Sequence, residues 1–134
     1  MSPPATDIVA IRTGDDVVRV RQEVRAAATR AGLSLVDQTK IVTAASELAR
    51  NTLEHGGGGI ARIELLADGG RRGVRLICED QGPGIADIQL ALKDGYTSRN
   101  GLGLGLGGAR RLVNDFAIES RPGEGTRVTV TRWR

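Results

Sequence analysis

Apolar and polar residues alternate in "DIVAIR", residues 7 to 12, and that period of two predicts a short strand. The pattern then changes. "GDDVVRVRQEVRAAATRAG" is rich in helix formers, carries acids in its first turn and ends at Gly32, so a helix is expected there. From Val36, the segment "VDQTKIVTAASELARNTLEHGGGG" sets Ile41, Ala44, Ala45, Leu48 and Thr52 on one stripe of period 3.6. The glycines from Gly56 end this second, longer helix. "IARIELLAD" and "GVRLICED" are strand-like runs joined by "GGRR", which reads as an antiparallel hairpin with Val74, Leu76 and Cys78 on one face. "QGPGI" breaks the chain, "ADIQLALKDG" suits a short helix and "GARRLVNDF" a further one. "AIESRPGEGTRVTVTRWR" gives two strands about a Pro-Gly turn.

Helices first, then mostly hairpins, imply an α/β chain of the α+β two-layer sandwich kind: a mixed, mostly antiparallel sheet with helices on one face. Strict β-α-β alternation is missing. Gly103, Gly105 and Gly108 do satisfy the dinucleotide spacing G-x-G-x-x-G, but "YTSRN" before them is not an apolar strand. The phosphate-loop pattern G-x-x-x-x-G-K-[ST] is absent as well.

A chain of 134 residues, 40% of them hydrophobic, fits one domain spanning 1–134 with no internal linker. No apolar run approaches the roughly 18 residues of a membrane span. The start "MSPPATDIVA" lacks a secretion signal, so a cytoplasmic protein without membrane contact is expected. Cys78 is the single cysteine, which excludes an internal disulfide and a cysteine-rich metal site. The net charge of +3 raises the question of nucleic acid. Aromatics make up only 2%, and Tyr96, Phe116 and Trp133 lie far apart, so no stacking platform is expected and nucleic acid is ranked last among partners. A docking face for an acidic protein stays open.

Three groups carry chemistry. Glu47 and Asn51 in "SELARN" are four apart and share one helix face, on the shoulder of its apolar stripe. A carboxamide oxygen there suits a hard cation such as Mg²⁺, and the carboxylate suits a base; a solvated helix face is the plainer alternative. "EDQGPG", 79 to 84, comes off a strand: Asp80 is a fixed acceptor for an exocyclic amine, and Gly82 and Gly84 permit positive φ and close approach of a ligand. A simple turn would look the same. Glycines 101, 103, 105, 107 and 108, interleaved with Leu102, Leu104 and Leu106, expose backbone N–H groups in front of a helix. "GEGT", 123 to 126, reads equally as a hairpin turn.

The order of these groups is more specific than any one of them. An E-x-x-x-N helix, a D-x-G-x-G turn, a G-x-G-x-G loop and a G-x-G-T hairpin, in that sequence, resemble the four boxes of the GHKL ATPases, which bind ATP in a Bergerat fold. The resemblance implies that Asn51 coordinates Mg²⁺, that Glu47 is the acidic catalytic partner and that Asp80 reads adenine. It implies that Gly82, Gly84 and Ile85 border the nucleotide. Gly101, Leu102, Gly103, Leu104 and Gly105 would wrap the phosphates, and Thr126 would support the adenine end through Asp80 or a water. Residues 85–100 correspond to the ATP lid, with Arg99 preferred over Lys93 as the cation that meets the γ-phosphate.

One histidine, His55, leaves no helix for a phosphoaccepting His, and a gyrase- or MutL-type second domain has no room. What remains is a free-standing Ser/Thr kinase. "TAASELARNTLEHGGGG", "CEDQGPGIADI" and "VTRWR" are similar to the RsbT type, which phosphorylates STAS-domain proteins of the stressosome and, when released, activates a PP2C-type phosphatase. The sibling SpoIIAB and RsbW type, which also binds a sigma factor, is the alternative.

Overall fold

The computed structural model describes residues 5–93 and 105–134. Strand β1 spans Ala5–Ile11, followed by helices α1 (Gly14–Arg30) and α2 (Leu35–Glu54). The hairpin β2 (Gly59–Asp68) and β3 (Arg71–Asp80) comes next, then the short helices α3 (Ile88–Ala91) and α4 (Gly105–Arg111). A second hairpin, β4 (Asp115–Ser120) and β5 (Thr126–Trp133), completes the described residues.

The strands form one sheet in the order β1-β2-β3-β5-β4, and the mostly antiparallel expectation is met in all four pairings, each of them antiparallel. The β2–β3 turn is the two-residue Gly69-Gly70, which leaves Asp68 opposite Arg71. Alternation then sends Val74, Leu76 and Cys78 inward, all at 2% exposure or less. They meet the α2 stripe, where Ile41, Ala44, Ala45, Leu48 and Thr52 are all buried. Val20, Val24 and Ala28 of α1 complete that single core, so both long helices cover the same face of the sheet.

Local signals set the helix ends. Asp16 Oδ2 accepts from the backbone N–H of Arg12 and Thr13 at 2.8 and 3.1 Å and closes the start of α1. Ser34 Oγ accepts from the Asp37 N–H at 3.1 Å and caps α2. The same end of α2 is pinned by an ion pair, Arg132 Nη2 to Asp37 Oδ1 at 2.7 Å, which ties the helix to the end of β5.

One predicted element is shorter than the sequence pattern implies. The helix read through "GARRLVNDF" stops at Arg111, and Asp115 and Phe116 already belong to β4. The reason is sheet pairing: the Asn114 N–H donates to the Thr131 carbonyl at 2.9 Å, and Phe116 pairs with Val130. Helix propensity in so short a segment is outweighed by the ladder it joins.

Candidate nucleotide-binding and kinase site

Register builds the site. Gly59, Asp80, Thr126 and Ser120 lie opposite one another across β2, β3, β5 and β4, so they form the last row at one end of the sheet. The C-terminal turns of α2 run over that row and bring Leu48, Asn51, Thr52 and His55 to it. Between them is a cavity of about 410 Å³, within the range usual for small-molecule sites.

Among the described residues, the cavity gathers six of the eight site residues singled out from sequence. Asn51, Asp80, Gly84, Ile85, Gly105 and Thr126 all line it. Its walls are apolar, from Leu48, Ile85, Leu90, Ala91, Leu106 and Val128, with polar groups confined to a few positions. A flat heteroaromatic ring with one polar edge matches that lining. Asp80 is 9% exposed, and its Oδ1 accepts from the Gly82 N–H at 2.9 Å, which fixes the carboxylate. Cys78 also lines the cavity; burial pushes its thiol up to about 12, so it stays protonated and is no nucleophile at neutral pH.

Gly82 differs from expectation. It does not line the cavity and does not adopt positive φ; Gly84 does both, with φ +77°. The close approach at these positions is to the chain's own backbone: a Cβ on Gly82 would lie 2.6 Å from the Gly56 Cα, and one on Gly84 would enter the Arg121 carbonyl. These glycines shape the site by letting three backbone segments meet under it.

Glu47 does not line the cavity but sits beside it, one helical turn before Asn51, at 8% exposure. Its two oxygens have different partners. Oε1 faces Arg50 Nη1 at 3.2 Å, and Oε2 accepts from the Gly105 N–H at 3.3 Å. Arg50 was missed in the sequence reading, although counting i, i+3 from Glu47 finds it.

Ser120 was missed too. Its Oγ accepts from the Ile85 N–H at 2.8 Å, donates to the Gly125 carbonyl at 2.9 Å and lies 2.8 Å from Thr126 Oγ1. One hydroxyl offers one donor and two acceptor sites, so the Thr126 hydroxyl donates to Ser120. Thr126 is also the neighbour of Asp80 across the β3–β5 ladder. Arg99, Gly101, Leu102, Gly103 and Leu104 lie outside the described residues.

Among the described residues, no cluster of three His, Cys, Asp or Glu side chains holds a metal by itself. A Mg²⁺ ion carried by a nucleotide keeps several waters and takes few protein ligands. Asn51 lines the cavity, and a carboxamide supplies the kind of neutral oxygen donor such an ion takes. A second, more open depression of about 540 Å³ shares Asp80 and Thr126 but is lined by Glu79, Glu119, Glu124 and Arg127, without any residue of α2. The smaller cavity is the one that Asn51 and the end of α2 line.

Helices on one face of an antiparallel sheet, with a cavity at the end of the second helix, form an arrangement that matches a histidine kinase-like ATPase domain. The model of that family, the histidine kinase-like ATPase domain, matches residues 12–132. The chain is 46% identical over 125 residues to the serine/threonine-protein kinase RsbT of Bacillus subtilis, covering 93% of this chain and 94% of the relative. It is 33% identical over 105 residues to an anti-sigma F factor of Clostridium kluyveri, covering 74% and 72%. Among solved structures, the RsbU and RsbW domains of a Mycobacterium tuberculosis protein align with TM-score 0.66 and 26% identity, over 99% of this chain and 33% of that one. The mycobacterial sensor histidine kinase MprB shares the fold at TM-score 0.54 and 18% identity, over 96% and 97%. The chain belongs to the histidine kinase-like ATPase family and, within it, to the RsbT-type serine/threonine-protein kinases. ATP is the nucleotide of that family.

Proposed function

We propose that the 134-residue chain is a single kinase domain that transfers the γ-phosphoryl group of ATP to a Ser or Thr hydroxyl of a STAS-domain regulatory protein. Released from that partner, it binds and activates a PP2C-type phosphatase, as one arm of a partner-switching module. The observation that carries the reading is the convergence of Asn51, Asp80 and Thr126 on one cavity with the Glu47 carboxylate beside it. The 46% identity to RsbT supports the same reading.

In this reading the base stacks between the apolar walls and its exocyclic amine donates to Asp80. Asn51 would hold a Mg²⁺ ion, whose contribution there would be to neutralise phosphate charge. The acceptor hydroxyl oxygen attacks the γ-phosphorus, the bond to the β–γ bridging oxygen breaks, and ADP leaves. Glu47 takes the hydroxyl proton. Arg99, with Gly101, Leu102, Gly103 and Leu104, belongs to the phosphate-facing segment in this scheme.

Radiolabel from γ-labelled ATP tests it. The wild-type chain is expected to label a candidate STAS-domain protein on Ser or Thr, and Glu47→Ala is expected to keep nucleotide binding while losing transfer. Transfer at the full rate by Glu47→Ala would remove the carboxylate from the chemistry. A second reading, sequestration of a sigma factor together with phosphorylation of its STAS antagonist, is favoured by the identity to anti-sigma F factors. Stable ATP-dependent binding of a sigma factor separates it from the first.

A further inference from the structure

We infer that Arg50 is a positioning residue for phosphoryl transfer, holding the Glu47 carboxylate in the plane from which it takes the acceptor's proton. The inference rests on the kinase reading above and adds a residue to it.

The argument begins with helix geometry. At 100° per residue, Asn51 lies about 40° to one side of Glu47 and Arg50 about 60° to the other. The acid is thus flanked by a carboxamide that lines the nucleotide cavity and by a cation that does not. The last torsion of a glutamate side chain is broad and roughly two-fold, so burial alone does not orient its oxygens. Here each oxygen has its own anchor, Arg50 Nη1 on Oε1 at 3.2 Å and the Gly105 N–H on Oε2 at 3.3 Å. Two anchors on opposite oxygens define the carboxylate plane. Each oxygen keeps a second lone pair for a hydroxyl proton, because an ionised carboxylate offers about four acceptor sites.

The two side chains differ in surroundings. The Glu47 side chain is 11% exposed and that of Arg50 is 41% exposed. A half-exposed ion pair contributes little to folding. What it does here is orient a buried acid, and misplacement of a catalytic group by about 1 Å costs on the order of 100-fold in rate.

The test is steady-state phosphoryl transfer to a STAS-domain substrate with Arg50→Ala, Arg50→Lys, Glu47→Gln and the double variant Glu47→Gln/Arg50→Ala. Arg50→Ala is expected to lower kcat about 10- to 100-fold with the KM for ATP within about twofold. Arg50→Lys, which restores a cation, is expected to recover part of that loss. In the Glu47→Gln background, Arg50→Ala is expected to have no further effect, because the group it orients is gone. An unchanged kcat overturns the inference and leaves the kinase reading standing. So does a loss confined to the KM for ATP, which makes Arg50 a nucleotide contact, or a full additional loss in the Glu47→Gln background. A wild-type chain that transfers no phosphate removes the kinase reading and the inference together.

Discussion

Ser120 shows how much of the site depends on a residue with no catalytic chemistry. Its hydroxyl joins the Ile85 N–H, where the chain leaves the β3 turn, to the Gly125 carbonyl and Thr126 in the opposite hairpin. Truncation leaves a partly buried N–H without its acceptor, at a cost of about 1–3 kcal/mol. Ser120→Ala is expected to melt at lower temperature and to bind ATP more weakly, as read by thermal unfolding and nucleotide titration; unchanged values for both would show that Ser120 does not organise this wall. Glu47, Asn51 and Asp80 were legible in the sequence because two share a helix face and the third ends a strand before a glycine turn. Ser120 was not. Its partners lie 5, 6 and 35 residues away, and a lone serine in "AIESRPG" carries no spacing signal.

Elements are held in place by contacts that periodicity does not encode. The α2 stripe and the β2–β3 hairpin follow directly from apolar spacing, which is why both were recovered. The clamp between Asp37 at the start of α2 and Arg132 at the end of β5 spans 95 positions and was invisible. The Arg132 hydrogen bond holds the Asp37 carboxyl below the usual carboxylate range. A carboxyl depressed in the folded state stabilises above its unfolded value, about 3.9, and that contribution is lost as pH falls through the folded value. Asp37→Asn is therefore expected to be less stable than wild type at pH 7, with the gap closing on acidification below about pH 4. Urea unfolding at both pH values checks this, and an equal gap at pH 7 and pH 3 would contradict the clamp. The overlong prediction for α4 has a similar origin, since only the partner strand β5 reveals that Asp115 and Phe116 are paired.

At the scale of the whole molecule, the sheet order β1-β2-β3-β5-β4 brings the glycine turns at 56–59, 82–84 and 123–125 and the end of α2 to one end of the sheet. The linear order of the boxes was readable, but that β5 pairs between β3 and β4 was not, because strand order depends on packing beneath α2. None of the helices among the described residues is long and apolar enough to cross a membrane. Everything argued about chemistry depends on that end of the sheet being a nucleotide site. Calorimetric titration of ATP in the presence of Mg²⁺ measures this directly, on the wild-type chain and on Asn51→Ala and Asp80→Asn. The wild type is expected to bind one ATP, Asn51→Ala to lose the Mg²⁺-dependent part of the affinity and Asp80→Asn to bind at least about tenfold more weakly, the loss of a buried charge-assisted hydrogen bond. No binding by the wild type, or undiminished affinity in both variants, would contradict the assignment of this cavity to ATP.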